Sequence, residues 1–526
     1  MAPYFIRNLV PKREARQNAR PLMAVLLGLS WLAWTCDAID FFSVSLSVSG
    51  LSKTFNKDNT DITTAITLTL LLRSAGAVIF GIISDRYGRK WPLVFNLFLI
   101  AILELGAGFV QTFQQFLAVR SLFGIGMGGI WGLAASTALE NLPVEARGLA
   151  SGVLQQGYAV GYLFAACINL RLVPSVQDSL NGDGWRSLFY CAAGISFFAG
   201  VIRALVPESE VFLKARAESR ARELAEGRTT ANKTRIFMKE TGKMLKTHWA
   251  LCIYAVLLMT GFNFLSHGSQ DLYPTYLKDT KGFDDYHSTV ATIIGNCGAI
   301  AGGAIAGWAS QYIGRRLTIM YVSTLFRTLY LVPDPRSNSI FVLLVACFIP
   351  LWILPNTFSG LAAGAFCIQF GVQGAWGVIP IQLAEMSPPA FRATFPGVAY
   401  QLGNMISSAS AQIEARGGED IRTTITDPKT GQLKDVPDYA TVQGILIGVV
   451  AAYILIVTIL GPENHGSQFE KHKAAFEEGG GSDDAVMEED AGARRDEESS
   501  GRNSEVDEKK GVIEERRERS NSTEKN

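Results

Sequence analysis

The sequence predicts an all-α polytopic membrane protein of twelve transmembrane helices in two six-helix halves, and three observations predict it. A dozen apolar runs of roughly 20 residues, the length that crosses about 30 Å of hydrocarbon at 1.5 Å per residue, lie between Pro21 and Pro462. Short loops rich in Lys and Arg alternate with loops that are acidic or balanced. A loop motif that follows the second run recurs after the eighth.

Composition sharpens this picture. The chain has 526 residues, 48 Lys and Arg against 48 Asp and Glu, and a mean hydropathy of +0.18. The neutral total hides two unlike parts. From Glu463 to Asn526 there are nineteen acidic and eleven basic residues, so this tail carries −8 and the rest of the chain +8. A soluble multidomain enzyme is excluded by the apolar runs. The seven cysteines all fall inside those runs, with no CxxC or Cys/His spacing, and read as small packing residues with neither a disulfide frame nor a metal site. No Walker loop and no dinucleotide fingerprint occurs, so no cofactor is expected, nor is a nucleic-acid partner.

In chain order, residues 1–21 form a basic lead-in (Arg7, Lys12, Arg13, Arg16, Arg20) without a small-residue cleavage pattern, and are expected to be cytoplasmic. The N-terminal half, 22–207, holds spans at about 22–48, 62–83, 91–111, 115–138, 148–169 and 187–206. Residues 208–248 make a polar central loop with ten Lys/Arg and six Asp/Glu, whose part from Phe212 to Lys246 is expected to lie as amphipathic helix against anionic lipid. The C-terminal half, 249–462, holds spans at about 249–277, 290–312, 317–355, 359–384, 395–413 and 440–461. Residues 463–526 read as a disordered acidic tail, whose serines and lysines are candidate attachment points for phosphate or ubiquitin and so for endocytic regulators. The positive-inside rule sets both termini and the central loop in the cytoplasm.

After the second span come Gly81 and the run Asp85, Arg86, Tyr87, Gly88, Arg89, Lys90; after the eighth come Gly307 and Gln311, Tyr312, Ile313, Gly314, Arg315, Arg316, offset by 226 residues. After the fourth span stand Glu140, Pro143 and Arg147; after the tenth, Glu385, Pro388 and Arg392, offset by 245. Two halves that repeat such loops suit a transporter with its site between them. The first copy resembles the G-x-x-x-D-R-x-G-R-K signature of the major facilitator superfamily, and Arg120 followed by Gly124, Gly126 and Gly128, and Pro207-Glu208-Ser209 closing span six, are further features similar to that family's. The resemblance covers about residues 20 to 465. The unequal offsets leave about nineteen extra residues in the second half, near Ser323 to Val342, where Arg327 and the run Pro333 to Asn338 interrupt the ninth span. A charged, proline-broken stretch cannot cross lipid as helix. It is either a loop insertion or a translated short intron.

Polar residues inside a span cost about 2.5–3.5 kcal/mol when charged and so mark function. Span seven has the densest set: Asn263, Ser266, His267, Ser269, Gln270, Asp271 and Thr275. Asn263, His267 and Asp271 are spaced i, i+4, i+8, a drift of only about 40° per step, and share one helix face. Histidine is the side chain whose ordinary titration lies near physiological pH, which suits reversible protonation. The bland reading is a polar helix glued to its neighbours by hydrogen bonds. H-x-x-x-D is also the base motif of some acyltransferases, but no acyl-carrier site or soluble domain accompanies it. The string resembles N-x-x-[S/T]-H-x-[S/T]-Q-D-x-x-x-T of the fungal lactate permeases, carboxylate:proton symporters related to sialate:proton symporters. That resemblance implies a small monocarboxylate anion and a proton as partners, and a plasma-membrane location.

The other candidates follow from charge. Arg73 in span two suits a carboxylate clamp, or a lock paired with Asp37 or Asp40 of span one. Asp37 and Asp40 are proton sites or counter-ions for Arg73 and Arg120. Arg120 either snorkels at the outer interface or faces the cavity. In span eleven Gln401 and Asn404, i and i+3, offer neutral hydrogen bonds, and the resemblance implies that they line the path. Gly81, Asp85, Arg86, Gly88, Arg89, Lys90, Arg120, Glu140, Arg147, Glu385 and Arg392 form the gating and loop set. The expected activity is proton-coupled symport of a lactate-, pyruvate- or acetate-type acid by alternating access. A dicarboxylate or other organic-acid carrier or exporter, and a non-transporting nutrient sensor, remain as alternatives.

Overall fold

A computed structural model describes residues 21–139, 142, 146–208, 233–320, 341–388, 391, 394–426 and 433–462. The basic lead-in, the acidic tail, Glu140, Arg392 and nearly all of the extra segment from Ser323 to Val342 lie outside the described residues. The side chains of Asp85 and Arg86 do so as well, although their backbone is helical.

In the N-terminal half the helices are α1 (Pro21–Phe55), α2 (Asn59–Tyr87), α3 (Lys90–Phe109), α4 (Phe113–Met127), α5 (Ile130–Leu139), α6 (Arg147–Ser175) and α7 (Arg186–Leu205). Helix α8 (Lys233–Thr247) occupies part of the polar central stretch and belongs to a separate small unit. In the C-terminal half come α9 (Trp249–Gln270), α10 (Tyr273–Asp279), α11 (Asp285–Ile313), α12 (Arg315–Met320), α13 (Phe341–Ile353), α14 (Phe358–Trp376), α15 (Ile379–Met386), α16 (Thr394–Ser407) and α17 (Ser410–Asp420). A two-stranded antiparallel hairpin, β1 (Arg422–Thr426) and β2 (Leu433–Pro437), then leads into α18 (Tyr439–Leu460).

Ten stretches among the described residues are long and apolar enough to cross a membrane. The ninth expected span is described only as α13, and the eleventh is split into α16 and α17, each too short alone. Exposed apolar side chains such as Ile102, Phe198 and Val449 stud the outer surfaces of α3, α7 and α18, as lipid-facing helices require.

Local chemistry sets the helix ends. Thr112 and Gln115 form a capping box at α4, and Asp284, Thr357 and Asp438 cap α11, α14 and α18. Helices α2 and α11 end alike: Gly88 and Gly314, the equivalent glycines of the repeated motif, have φ of 104° and 101°. Only glycine adopts that backbone without penalty, so the repeat seen in the letters is a repeat of helix termination.

The all-α bundle stands, with one small addition in the hairpin within residues 422–437. Several span boundaries differ from expectation. Span eleven does not end near residue 413; α17 carries on to Asp420, so Glu414, expected in a loop, is a fully buried helical residue. Span seven is two helices rather than one, broken at Asp271 and Leu272. Similar breaks at Gly128-Gly129, Gly377-Val378 and Ser408-Ala409 divide spans four, ten and eleven. Interrupted helices inside a bundle leave backbone polar groups for a buried site, which lipid contact would forbid.

Candidate functional site

The site grows from the crossing of α9 and α16. A side chain at Gly403 would strike the backbone of Met259 and Thr260, so its absence lets the two helices touch main chain to main chain. That contact sets His267 beside Asn404. His267 Nδ1 lies 3.0 Å from Asp271 Oδ2, and Nε2 lies 3.1 Å from Asn404 Oδ1. Asn404 Nδ2 donates to Gln401 Oε1 at 2.8 Å, and Gln401 Nε2 donates to the carbonyl of Gly128 at 3.4 Å, at the break in span four. Asn263 Nδ2 donates to the carbonyl of Tyr400 at 3.2 Å. The amide chain, anchored on a carbonyl, turns the oxygen of Asn404 toward the imidazole. His267, Asp271, Gln401 and Asn404 are each 2% exposed or less.

Phe41 of α1 bridges to a second group. Its ring centroid lies 5.6 Å from that of His267 and 5.7 Å from the Arg73 guanidinium. Arg73 Nη2 donates to Asp37 Oδ2 at 2.6 Å, while its Nε and Nη1 have no hydrogen-bond partner among the described residues. Asp37 is therefore the counter-ion of Arg73. Asp40, one turn on, instead accepts from Ser196 of α7 at 2.8 Å. Arg120 does not snorkel: it is 1% exposed, donates to Glu104 Oε2 at 2.7 Å, and lies 4.1 Å from the Phe123 ring. Its guanidinium charge is held inside the half by a carboxylate that sequence reasoning passed over. Glu104, the one carboxylate of α3, was legible as a charge in an otherwise apolar run. Glu414 was not, because its short helix is not apolar.

Aromatic rings wall the region. Tyr400 packs 4.5 Å from Trp131 and 5.6 Å from Trp376, and Trp34 stacks on Tyr158 at 5.3 Å. Gln270 Nε2 donates to Gln369 Oε1 at 2.7 Å, and Gln369 donates in turn to Ser269, tying α9 to α14.

The described members of the loop set, Arg120 apart, lie at the motif end of the bundle. Gly81 faces Thr394 of α16, the backbone N–H of Lys90 donates to Glu208 at 2.9 Å, and Arg147 Nε donates to the carbonyl of Leu142 at 3.0 Å. In the second copy Arg315 grips Glu385 with two bonds, Nε to Oε2 at 2.8 Å and Nη2 to Oε1 at 2.9 Å. Arg89 also stands in this turn, partly buried.

Contacts between the halves close both ends. At the motif end Ser151 donates to the carbonyl of Gly377 at 2.8 Å, and Gln156 to that of Ile300 at 2.8 Å. At the opposite end Asn59 donates to Asp279 at 3.0 Å, Thr60 to Glu419 at 2.8 Å, and Gln412 to Thr60 and Thr64 at 3.0 Å each. The site between them is occluded. Among the described residues no group of His, Cys, Asp and Glu could hold a metal ion.

A family model for sugar (and other) transporters matches residues 28–476. The chain belongs to that transporter family. Among its relatives, a Saccharomyces cerevisiae carboxylic acid transporter protein homolog is 36% identical over 445 residues, covering 83% of this chain and 67% of that protein. The cis,cis-muconate transport protein of Acinetobacter baylyi is 26% identical over 397 residues, 74% of this chain and 87% of the other. Among solved structures, the major facilitator superfamily proton:xylose symporter XylE superposes with a TM-score of 0.63 at 17% identity, covering 85% of this chain and 98% of XylE. The transporter thus has the twelve-helix major facilitator fold and is a multi-pass membrane protein, not an enzyme.

Proposed function

We propose that this transporter carries short-chain monocarboxylates of the lactate, pyruvate or acetate type across the plasma membrane together with a proton, with both termini in the cytoplasm. The observation that carries the reading is the His267 imidazole, held between Asp271 and Asn404 in a doubly closed interior. Asn404 offers Nε2 an acceptor oxygen, and Nδ1 faces the Asp271 carboxyl, so one proton can be held between the imidazole and the carboxyl. Arg73 supplies the fixed cation: Asp37 takes a single hydrogen bond from Nη2, and Nε and Nη1, without a hydrogen-bond partner among the described residues, can donate to a substrate carboxylate. Gln401, Asn404 and Asn263 orient the anion. Asp37 and Asp40 serve the proton side as well. An anion and a proton moving together cross as a neutral pair, which avoids about 2.3 kcal/mol per charge at 100 mV. The name of the yeast relative supports an organic acid as cargo.

The test is uptake of labelled lactate at several external pH values in cells lacking their own carboxylate permeases. Acid-stimulated, uncoupler-sensitive uptake that disappears in His267→Ala supports the reading. Surface-expressed protein without uptake sinks the substrate assignment. The muconate relative favours a second reading, a dicarboxylate carrier, which strong competition by muconate or succinate against lactate would support.

A further inference from the structure

Glu414 is a buried acid that neither the loop motifs nor the span-seven string accounts for. It is fully buried on α17, and among the described residues its hydrogen-bond partners are the neutral Ser410 and Gln443. Arg416, two positions on, is exposed on the other side of the helix, as are Glu419 and Asp420 at its end. The carboxyl sits in a neutral cradle: Ser410 Oγ donates to Oε1 at 3.2 Å and Gln443 Nε2 donates to Oε2 at 2.9 Å. Gln443 cannot turn over, because its own oxygen accepts from Trp352 Nε1 at 3.1 Å. The Ser410 hydroxyl is under no such constraint. It donates to a carboxylate and accepts from a protonated acid, so the cradle serves both states of Glu414.

The groups facing α17 are few. Helix α9 meets α17 at Gly268, where a Cβ would lie 3.6 Å from Ser410 Oγ, and Asp271, the residue that caps α9, lies about one turn on with His267 bonded to it. Helix α18 brings Gln443 and Tyr439, the latter against Gly418, and α2 presents Thr60 and Thr64 to Gln412. Strand β2 also packs on α17, with Lys434 and Asp435 exposed, so among the described residues two buried carboxyls and one imidazole, with no buried lysine or arginine, share this corner. Burying two carboxylate charges in one corner without a fixed cation is costly, whereas burying one charge and one protonated carboxyl costs less.

We propose that Glu414 is a second proton-binding carboxyl of the transport site, which passes its proton to Asp271 and is reloaded from the aqueous side beyond Asp420. In this step the O–H bond of Glu414 breaks and one forms on Asp271, so the pair carries one negative charge before and after. Asp420 ends the helix about 9 Å, six residues, beyond Glu414, which makes the route to water short. The inference rests on the reading of His267 and Asp271 as the proton site.

The test uses the full chain in lipid vesicles, as wild type, Glu414→Gln and Glu414→Asp. Infrared difference spectra across a pH step read carboxyl protonation without any transported substrate. Labelled lactate is followed both as accumulation driven by a pH gradient and as counterflow at equal pH. Glu414→Gln is expected to remove one protonated-carboxyl band and to cut gradient-driven accumulation by roughly a hundredfold while sparing counterflow, and Glu414→Asp to restore part of the accumulation with a shifted band. Unchanged bands in both variants overturn the proposal, and so does wild-type accumulation in Glu414→Gln. If the wild type accumulates no lactate under a pH gradient, the proposed function fails, while the infrared arms still decide the role of Glu414.

Discussion

His267 Nε2 lies 3.1 Å from Asn404 Oδ1, across a contact between α9 and α16 that exists because position 403 is glycine. The oxygen of Asn404 points at the ring because its amide nitrogen is committed to Gln401. Removing Asn404 leaves the ring nitrogen buried without an acceptor, a loss of about 1.5–3 kcal/mol when the donor is charged. Asn404→Ala is therefore expected to weaken proton-coupled uptake by roughly 10- to 100-fold. Asn404→Asp, which keeps an acceptor oxygen, should lose less. Uptake against external pH in the two variants checks this; equal losses would count against the bond.

A second prediction concerns the approach of α2 to α4. A Cβ at Gly128 would collide with the carbonyl of Arg73, and one at Gly124 with that of Thr69. The obstacles are backbone atoms, which cannot swing aside as a side-chain tip can. Overpacking of this kind costs about 1–3 kcal/mol and shifts the backbone that carries Arg73. Gly128→Ala should lower the thermal midpoint of the purified protein and reduce its surface level, whereas Gly28→Ala, which meets nothing, should do neither.

The third prediction lies at the motif end. Arg315 and Glu385 are both about 1% exposed and joined by two parallel bonds. Removing one partner takes a buried two-bond ion pair from the other, at about 3–5 kcal/mol, and removing both gives up that pair only once. In a double-mutant cycle of Arg315→Gln and Glu385→Gln, the pair should lose clearly less stability than the two single changes added together. Arg315→Lys should behave nearly as badly as Arg315→Gln, since an ammonium cannot reproduce the fork. Thermal unfolding of the five proteins measures both.

The fold was legible because lipid imposes it: apolar length, loop charge and a glycine-ended motif repeated after 226 residues each report a physical requirement of a membrane bundle. Parts of the site were legible for a similar reason. The i, i+4 spacing puts His267 and Asp271 within one turn, and a buried arginine such as Arg73 needs a carboxylate nearby. What the letters withhold is the partner across helices. Nothing in span four or span three says that Arg120 finds Glu104, and i, i+3 spacing alone does not aim Asn404 at His267. Glu414 was missed for another reason. Its helix is polar enough to look like loop, and only packing against α9 and α18 shows that it is interior.

The last prediction concerns pH at the end opposite the motif. Asp183, in the connection between α6 and α7, accepts from Thr54 Oγ1 at 2.5 Å and from Arg186 Nε at 3.0 Å. Thr54 accepts in turn from Trp185 Nε1 at 2.9 Å, and Arg186 also donates to the carbonyls of Gly108 and Val110. One carboxylate thus ties the ends of α1, α3 and α7. Partial burial pushes its acidity the other way, but the hydrogen bonds from Thr54 and Arg186 and the arginine charge outweigh burial and hold Asp183 below the usual carboxylate range. A group whose folded value is depressed stabilises the fold above its unfolded value of about 3.9, and that contribution fades as pH falls through the folded value. Asp183→Asn should therefore lower stability by about 1 kcal/mol at neutral pH. The gap between variant and wild type should narrow as pH drops below about 4, where the wild-type carboxyl gains its proton. Thermal unfolding of both proteins at neutral pH and near pH 3 reads this directly; a gap that stays constant would mean the carboxylate charge is not what ties these helix ends together.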